Sequence, residues 1–128
     1  MIQTGYFNRK KLTSELSRQV YNKLFDTRYT CLGYYNTQFQ DIMEYKNILY
    51  LCYDNTKTIL YGYMFLLNNE IKSLEILDDY KGNNFSKIMI TKFNKKYNKK
   101  LFVKKDNILD DKLEYWNKLH DQELINIV

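Results

Sequence analysis

Apolar residues change their spacing sharply along this chain, and the changes mark its elements. Three runs are dense in β-formers: NILYLCYD (Asn47 to Asp54), TILYGYMFLL (Thr58 to Leu67) and IKSLEIL (Ile71 to Leu77). Runs of this kind bounded by polar residues predict strands. DNTK and Asn68-Asn69 supply the turn residues between them. Three strands on short links predict an antiparallel meander. Gly62 falls inside the second run, where a bulge or a close backbone approach is expected.

Beyond Leu77 the period becomes helical. The turn DDYKGNN leads to Phe85, Ile88, Met89 and Phe93, which share one face at the 3.6-residue period. KKLFVKK (Lys99 to Lys105) predicts another strand, centred on Leu101, Phe102 and Val103. Asp106 or Asn107 is suited to cap a last helix, with Asp110 and Asp111 in its first turn. Leu109, Leu113, Trp116 and Leu119 form its apolar stripe. Gln122 to Val128 has room for one short strand.

The region before the meander is less sharply patterned. Met1 to Phe7 predicts a short strand, interrupted by Gly5. Leu12, Leu16, Val20 and Leu24 recur every four residues and predict a helix over about Asn8 to Phe25. Arg9, Lys10 and Lys11 suit its positive end poorly and leave its start open. Asp26 to Asn36 reads as a loop. Thr37 and Gln40 form a capping box that starts a short helix through Tyr45, burying Phe39, Ile42 and Met43. The order is β-α-α-β-β-β-α-β-α-(β). It implies an α/β (α+β) fold with a central mixed, mostly antiparallel sheet flanked by helices.

Composition narrows the setting. A length of 128 residues favours a single domain over 1-128, and 45% apolar residues with 16% aromatics suffice for a core. Cys31 and Cys52 have no metal or redox spacing, so they are expected to be reduced core thiols of a cytoplasmic protein. The one histidine, His120, cannot build a histidine-rich metal site, and no metal is expected. No signal peptide or membrane span is expected, because no basic region leads into an apolar run and no uncharged apolar run is long enough. The chain has no proline and is rich in Asn, Lys, Tyr and Ile, as an A+T-rich genome would encode. That bias inflates the lysine count, so the net charge of +5 is weak evidence for nucleic acid. KKYNKKLFVKK (Lys95 to Lys105) does interleave lysine pairs with aromatics, which suits single strands. The competing reading is a solvated helix end and a lysine-protected edge strand.

The stretch from Glu70 to Asn94 carries the chemistry. A strand running through a Gly/Asn turn into a helix aims several N–H groups at one point, and the helix dipole adds to them. Such a place is built to hold a phosphate or another anion.

The topology, and the text ILYGYMFLLNNEIKSLEILDDYKGNNFSKIMI, resemble the GNAT superfamily of N-acetyltransferases. That family commonly carries a glycine like Gly62 in its third strand. Its fourth strand runs into a pyrophosphate loop of the form R/Q-x-x-G-x-G/A. Here the loop reads Lys81-Gly82-Asn83-Asn84-Phe85-Ser86. LFVKKDN is similar to the family's fifth strand, which ends in an asparagine, here Asn107. LEYWNKLHD resembles the segment that often reads F-Y-x-K-L-G-F, so Tyr115 or Trp116 holds its tyrosine position. The chain departs from the pattern at Lys81, Asn84 and Ser86, in His120-Asp121 for Gly-Phe, and in having room for one terminal strand where the family has two.

The resemblance implies an acyl-CoA-dependent N-acetyltransferase, with acetyl-CoA as cosubstrate and an amine acceptor such as a polyamine or a lysine side chain. It implies a pyrophosphate held by amides from Gly82 to Lys87, through Asn83, Asn84, Phe85 and Ser86, with charge from Lys81 and Lys87. Ile76 and Leu77 are the expected main-chain partners of the pantetheine arm, with the Leu77 amide facing the thioester carbonyl. Asn107 is expected to hydrogen-bond the CoA arm. Glu75 is the expected base and Tyr115 the expected acid. Asp78, Asp79 and Glu75 favour a cationic acceptor. Two other readings stand beside this one. One is a catalytically inactive GNAT-fold protein that binds a partner and forms a homodimer, a second copy supplying the missing strand. The other is a small basic nucleic-acid-binding protein.

Overall fold

The computed structural model describes residues 2–7, 13–26, 29–30, 33–34 and 49–128. Its centre is a six-stranded sheet. The strands are β1 (Ile2–Tyr6), β4 (Leu49–Asp54), β5 (Leu60–Leu67), β6 (Glu70–Ile76), β7 (Leu101–Val103) and β8 (Ile125–Ile127), side by side in that order. β1, β4, β5 and β6 are mutually antiparallel, whereas β7 runs parallel to β6 and β8 parallel to β7. This is the mixed, mostly antiparallel sheet that the sequence predicts. The meander forms as expected, and its strand bounds differ from the predicted ones by one or two residues.

Among the described residues three α-helices pack on the sheet: α1 (Ser14–Asp26), α2 (Phe85–Tyr97) and α3 (Leu113–Asp121). Period-two alternation along the central strands divides the core between the two faces. Tyr50, Cys52, Met64, Leu66 and Leu74 pack with Met89, Ile90 and Phe93 of α2 and Trp116 and Leu119 of α3. Leu49, Leu51, Tyr53, Tyr63 and Phe65 pack with Leu16 and Val20 of α1.

Several expectations are corrected in detail. α1 starts at Ser14, not near Asn8, because Thr13 caps it: its Oγ1 accepts the Leu16 N–H at 3.2 Å, and its carbonyl accepts the Ser17 N–H at 3.0 Å. Part of the expected loop over 26–36 pairs as a two-residue ladder, β2 (Tyr29–Thr30) with β3 (Gly33–Tyr34). On α2, Ile90 is buried and Ile88 only half-buried. The last helix starts at Leu113, after separate 3₁₀ turns at Lys105–Asn107 and Asp110–Lys112. Leu109 lies outside that helix and is exposed. The helix expected over 37–45, and Cys31, lie outside the described residues. No described helix is long and apolar enough to cross a membrane.

Three irregularities of the sheet set the surroundings of β6, one of them on β6 itself, where the pairing steps from Phe65↔Ser73 to Leu66↔Ile71 and leaves Lys72 as an extra residue. The β4–β5 register runs Cys52↔Gly62 and then Tyr53↔Leu60, so Tyr61 is an extra residue on β5. The bulge expected at Gly62 is therefore present beside it. The close approach is present as well. A Cβ built on Gly62 would lie 2.5 Å from the Glu75 carbonyl oxygen and 2.5 Å from Ile76 Cδ1. The third irregularity is the junction of β6 and β7, whose register is the one pair Glu70↔Phe102. The buried Glu70 carboxylate lies 3.2 Å from Lys72 Nζ and 3.7 Å from Lys104 Nζ at this junction. The shorter contact is an ion pair that is not aimed well enough to be a hydrogen bond.

Candidate functional site: an uncapped helix start at a splayed strand junction

β6 carries on for six residues past Glu70 to Ile76, about 20 Å at strand rise, while β7 ends at Val103. The two strands therefore part, and a cleft opens along the outer edge of β6. Strand alternation decides which groups face it. The Leu77 N–H donates to the Tyr61 carbonyl at 2.9 Å. Its neighbour Ile76 sits opposite Gly62 in the alternate type of pair, so its N–H and C=O point away from β5 and toward the cleft.

Below Ile76 the chain makes a 3₁₀ turn at Asp78–Tyr80 and then bends into α2. Gly82 takes φ +87°, a conformation that glycine adopts without strain. Asn84 takes φ 60° and ψ 23°, the left-handed region that asparagine tolerates better than most residues. The bend is braced from within: Asn83 Nδ2 donates to the Tyr80 carbonyl at 3.0 Å, and Lys81 Nζ lies 2.9 Å from Asp78 Oδ1. The first N–H bonded back along α2 is that of Ile88, to the Asn84 carbonyl at 2.9 Å. The amides of Phe85, Ser86 and Lys87 thus have no intrahelical acceptor, and no side chain caps the helix. Donors and dipole point the same way, which is the arrangement that receives an anion.

The bend is anchored to the sheet by aromatic packing. The Phe85 ring stacks on Tyr61 with centroids 4.4 Å apart and planes within 11°, and Tyr80 packs edge-on against Tyr61 at 4.9 Å. The bulge on β5 positions Tyr61 for both contacts. Burial, followed by the nearby Asp54, Tyr80 and Cys52, raises the Tyr61 hydroxyl pKa above its ordinary value.

These parts enclose one cavity of about 640 Å³, in the size range of small-molecule sites. Around it are Glu75 and Ile76 from β6, Lys81, Gly82 and Asn84 from the bend, Phe85 and Ser86 from α2, and Tyr115 from α3. Tyr115 spans the cleft and donates its hydroxyl hydrogen to Ser86 Oγ. The structure thus gathers eight of the residues singled out in the sequence around one space.

It does not gather the others. Leu77, Asn83, Lys87 and Asn107 are not among the residues that line the cavity, nor are Asp78 and Asp79, expected beside Glu75 to favour a cationic acceptor. The Leu77 amide, expected to face a thioester carbonyl, is used by Tyr61, so that role is corrected. Asn107 closes a 3₁₀ turn in which its N–H donates to the Lys104 carbonyl at 2.9 Å. Asn83 braces the bend as described.

Sequence reasoning missed Tyr80, Asp111, Lys112, Glu114 and Lys118, all of which line the cavity. Lys112 and Lys118 lie three residues either side of Tyr115, and that helical spacing was a readable signal. The lining holds three lysines (Lys81, Lys112, Lys118) and three carboxylates (Glu75, Asp111, Glu114). Such a lining offers partners to both anionic and cationic groups. Among the described residues no group of three or more His, Cys, Asp or Glu is placed to hold a metal ion.

No protein-family model matches the chain, and no curated protein matches it. Among solved structures, it is similar to an acetyltransferase of the GNAT family from Staphylococcus aureus Mu50. The TM-score is 0.49 and the identity 15%, over 96% of this chain and 83% of that one.

Proposed function

We propose that the cleft binds acetyl-CoA and passes its acetyl group to an amine, so that the protein is an N-acetyltransferase. One observation carries this reading. The cleft-facing N–H and C=O of Ile76 and the uncapped amides at the start of α2 open onto the same cavity. A diphosphate sits on the amides of Gly82, Asn84, Phe85 and Ser86, with Lys81 adding charge. An extended amide-bearing arm then lies along β6 and pairs with Ile76 as an added strand would. The Ile76 N–H is the main-chain donor that polarises the thioester carbonyl as negative charge develops on its oxygen.

Glu75 takes a proton from the acceptor amine, directly or through a water. The neutral amine nitrogen then bonds to the carbonyl carbon, the carbon–sulfur bond breaks, and the surplus proton left on the nitrogen passes to solvent. The departing thiolate takes a proton from the Tyr115 hydroxyl, which is regenerated from solvent. Glu75, Asp111 and Glu114 favour an acceptor that arrives as a cation, such as a polyamine or a lysine side chain. A cytoplasmic protein goes with this cosubstrate.

The test is thermal stabilisation by acetyl-CoA followed by turnover. Saturable stabilisation that Gly82→Glu abolishes, with amine-dependent release of CoA thiol that Glu75→Gln lowers, supports the reading. No stabilisation by acetyl-CoA overturns it. Stabilisation without thiol release from any amine leaves the inactive, partner-binding protein as the reading.

A further inference from the structure

The outer edge of β1 is a second place where a strand lacks a neighbour among the described residues, since β1 ends the sheet order. The Phe7 N–H donates to the Leu49 carbonyl at 2.7 Å. In the β1–β4 register, Gly5 opposes Leu51 and Gln3 opposes Tyr53. Alternation then turns the main-chain groups of Ile2, Thr4 and Tyr6 outward. One of them already has a partner: the Ile2 carbonyl accepts from Lys92 Nζ at 2.7 Å.

α2 lies over this edge, held by Tyr6, whose ring packs on Phe93 at 6.2 Å and on Tyr97 at 5.7 Å. Between edge and helix runs a groove of about 580 Å³, lined by Ile2, Gln3, Thr4, Lys92, Lys95 and Lys96. The three lysines share a helix face and are exposed. Among the described residues no carboxylate forms an ion pair with any of them.

We propose that this groove docks an extended acidic segment of a partner protein, added as a strand along β1. The outward groups of Thr4 and Tyr6 supply main-chain hydrogen bonds, and alternate carboxylates of the segment meet Lys92, Lys95 and Lys96. Lys92 keeps two N–H donors for a carboxylate after its bond to Ile2. A lysine-guarded edge repels basic chains and repeats of itself, but not an acidic one. Single-stranded nucleic acid would satisfy the lysines, yet it has no ladder of N–H and C=O groups to match the strand. Of the three lysine pairs of KKYNKKLFVKK, only Lys95-Lys96 lines the groove.

Fluorescence anisotropy of the whole chain tests this with a short labelled peptide alternating glutamate and valine. Binding that weakens with salt is expected, with about a tenfold loss in the double variant Lys95→Ala, Lys96→Ala. The same peptide N-methylated at alternate residues keeps its charge but loses one hydrogen-bonding edge, and it is expected not to bind. Equal binding of the N-methylated peptide overturns the added strand. Tighter binding of an oligothymidine overturns the peptide as occupant, and absence of any peptide binding overturns the proposal whole. Both lysines are exposed, so the variants leave the core intact.

Discussion

Tyr115 on α3 is tied through its hydroxyl to Ser86 in the first turn of α2, across the mouth of the cleft. The residue proposed to protonate the leaving thiolate thus shares a hydrogen bond with the end proposed to hold the diphosphate. Two variants separate these roles. Tyr115→Phe removes the acid and is expected to lower kcat by about 10²-fold while changing KM little. Ser86→Ala removes the tether and is expected to act mainly on the KM for acetyl-CoA. Steady-state kinetics of both proteins check the split, and equal kcat in Tyr115→Phe and the parent would remove Tyr115 from the chemistry.

Two glycines near the cleft answer to different forces. At Gly62 a Cβ would strike the backbone of β6 at 2.5 Å, so Gly62→Ala must push β6 aside. A loss of about 1–3 kcal/mol is expected, together with loss of acetyl-CoA binding. At Gly82 a Cβ meets nothing within 4 Å, and the cost is only that of φ +87°. Gly82→Ala is expected to cost about 1–2 kcal/mol, and Gly82→Asn less. Urea unfolding of the three variants orders them.

Alkali should unfold the protein for an identifiable reason. Burial pushes the Cys52 thiol up to about 12 from 9.0, against a smaller lowering by Lys92. Burial likewise pushes Tyr50 up to about 12 from 10.0, only partly offset by its bond to Thr4. A folded pKa above the unfolded one means stability that is whole below the unfolded value and lost as pH rises through the folded one. Stability is therefore expected to hold up to about pH 9 and to fall progressively to about pH 12, and Cys52→Ser is expected to blunt the first part of the fall. Denaturant midpoints across that range provide the measurement. For the same reason Cys52 is expected to resist alkylation at pH 8 until the chain unfolds.

Acid acts at the hairpin turn between β4 and β5. Burial alone would raise the Asp54 carboxyl. The Thr56 hydroxyl, the Ile59 and Thr58 amides and the Thr58 hydroxyl outweigh it and hold the pKa well below the usual carboxylate range. A depressed folded pKa gives stability that is present above the unfolded value, near 3.8, and lost as pH falls through the folded one. Asp54→Asn is expected to abolish this acid-side slope, as thermal midpoints between neutral pH and strong acid will show.

Glu70 holds the point from which the cleft opens. Its side chain is 7% exposed, while those of its partners Lys72 and Lys104 are 24% and 54% exposed. The lysines reach water if left alone, so breaking the pairs costs less than for a wholly buried ion pair. Glu70→Gln is expected to lose about 1–2 kcal/mol and to raise the KM for acetyl-CoA by loosening the junction. A KM unchanged at lowered stability would confine Glu70 to a structural part.

How much of this the sequence held depends on how local the cause was. The meander was legible because its strands are dense in β-formers and joined by turn residues. The bulge and close approach at Gly62 were legible because a glycine weakens a strand and is kept where a Cβ has no room. The start of α2 was legible from Gly82, Asn84 and the spacing of Phe85, Met89 and Phe93. The late start of α1 was not, since Leu12 continues the apolar period while the cap at Thr13 decides the boundary. Leu109 fits the stripe of α3 by spacing alone, but two 3₁₀ turns place it outside that helix. The use of the Leu77 amide could not be read either, because it depends on which residues of β5 and β6 face each other, and the extra residue Lys72 on β6 shifts that register. Lys112 and Lys118 needed only the helical spacing from Tyr115.

The single register pair between β6 and β7 also bears on how the molecule is assembled. The meander closes over turns of a few residues, whereas Glu70 must find Phe102 across a loop of roughly 30 residues, at a greater entropic cost. Nucleation in the meander and late docking of the parallel strands follow from that difference. The cleft, which exists only once both halves are in place, is then the last feature to form on folding and the first to dissolve. Ligand that binds there acts on the least protected seam of the sheet, and amide exchange in β7 and β8 is where its presence should register most strongly.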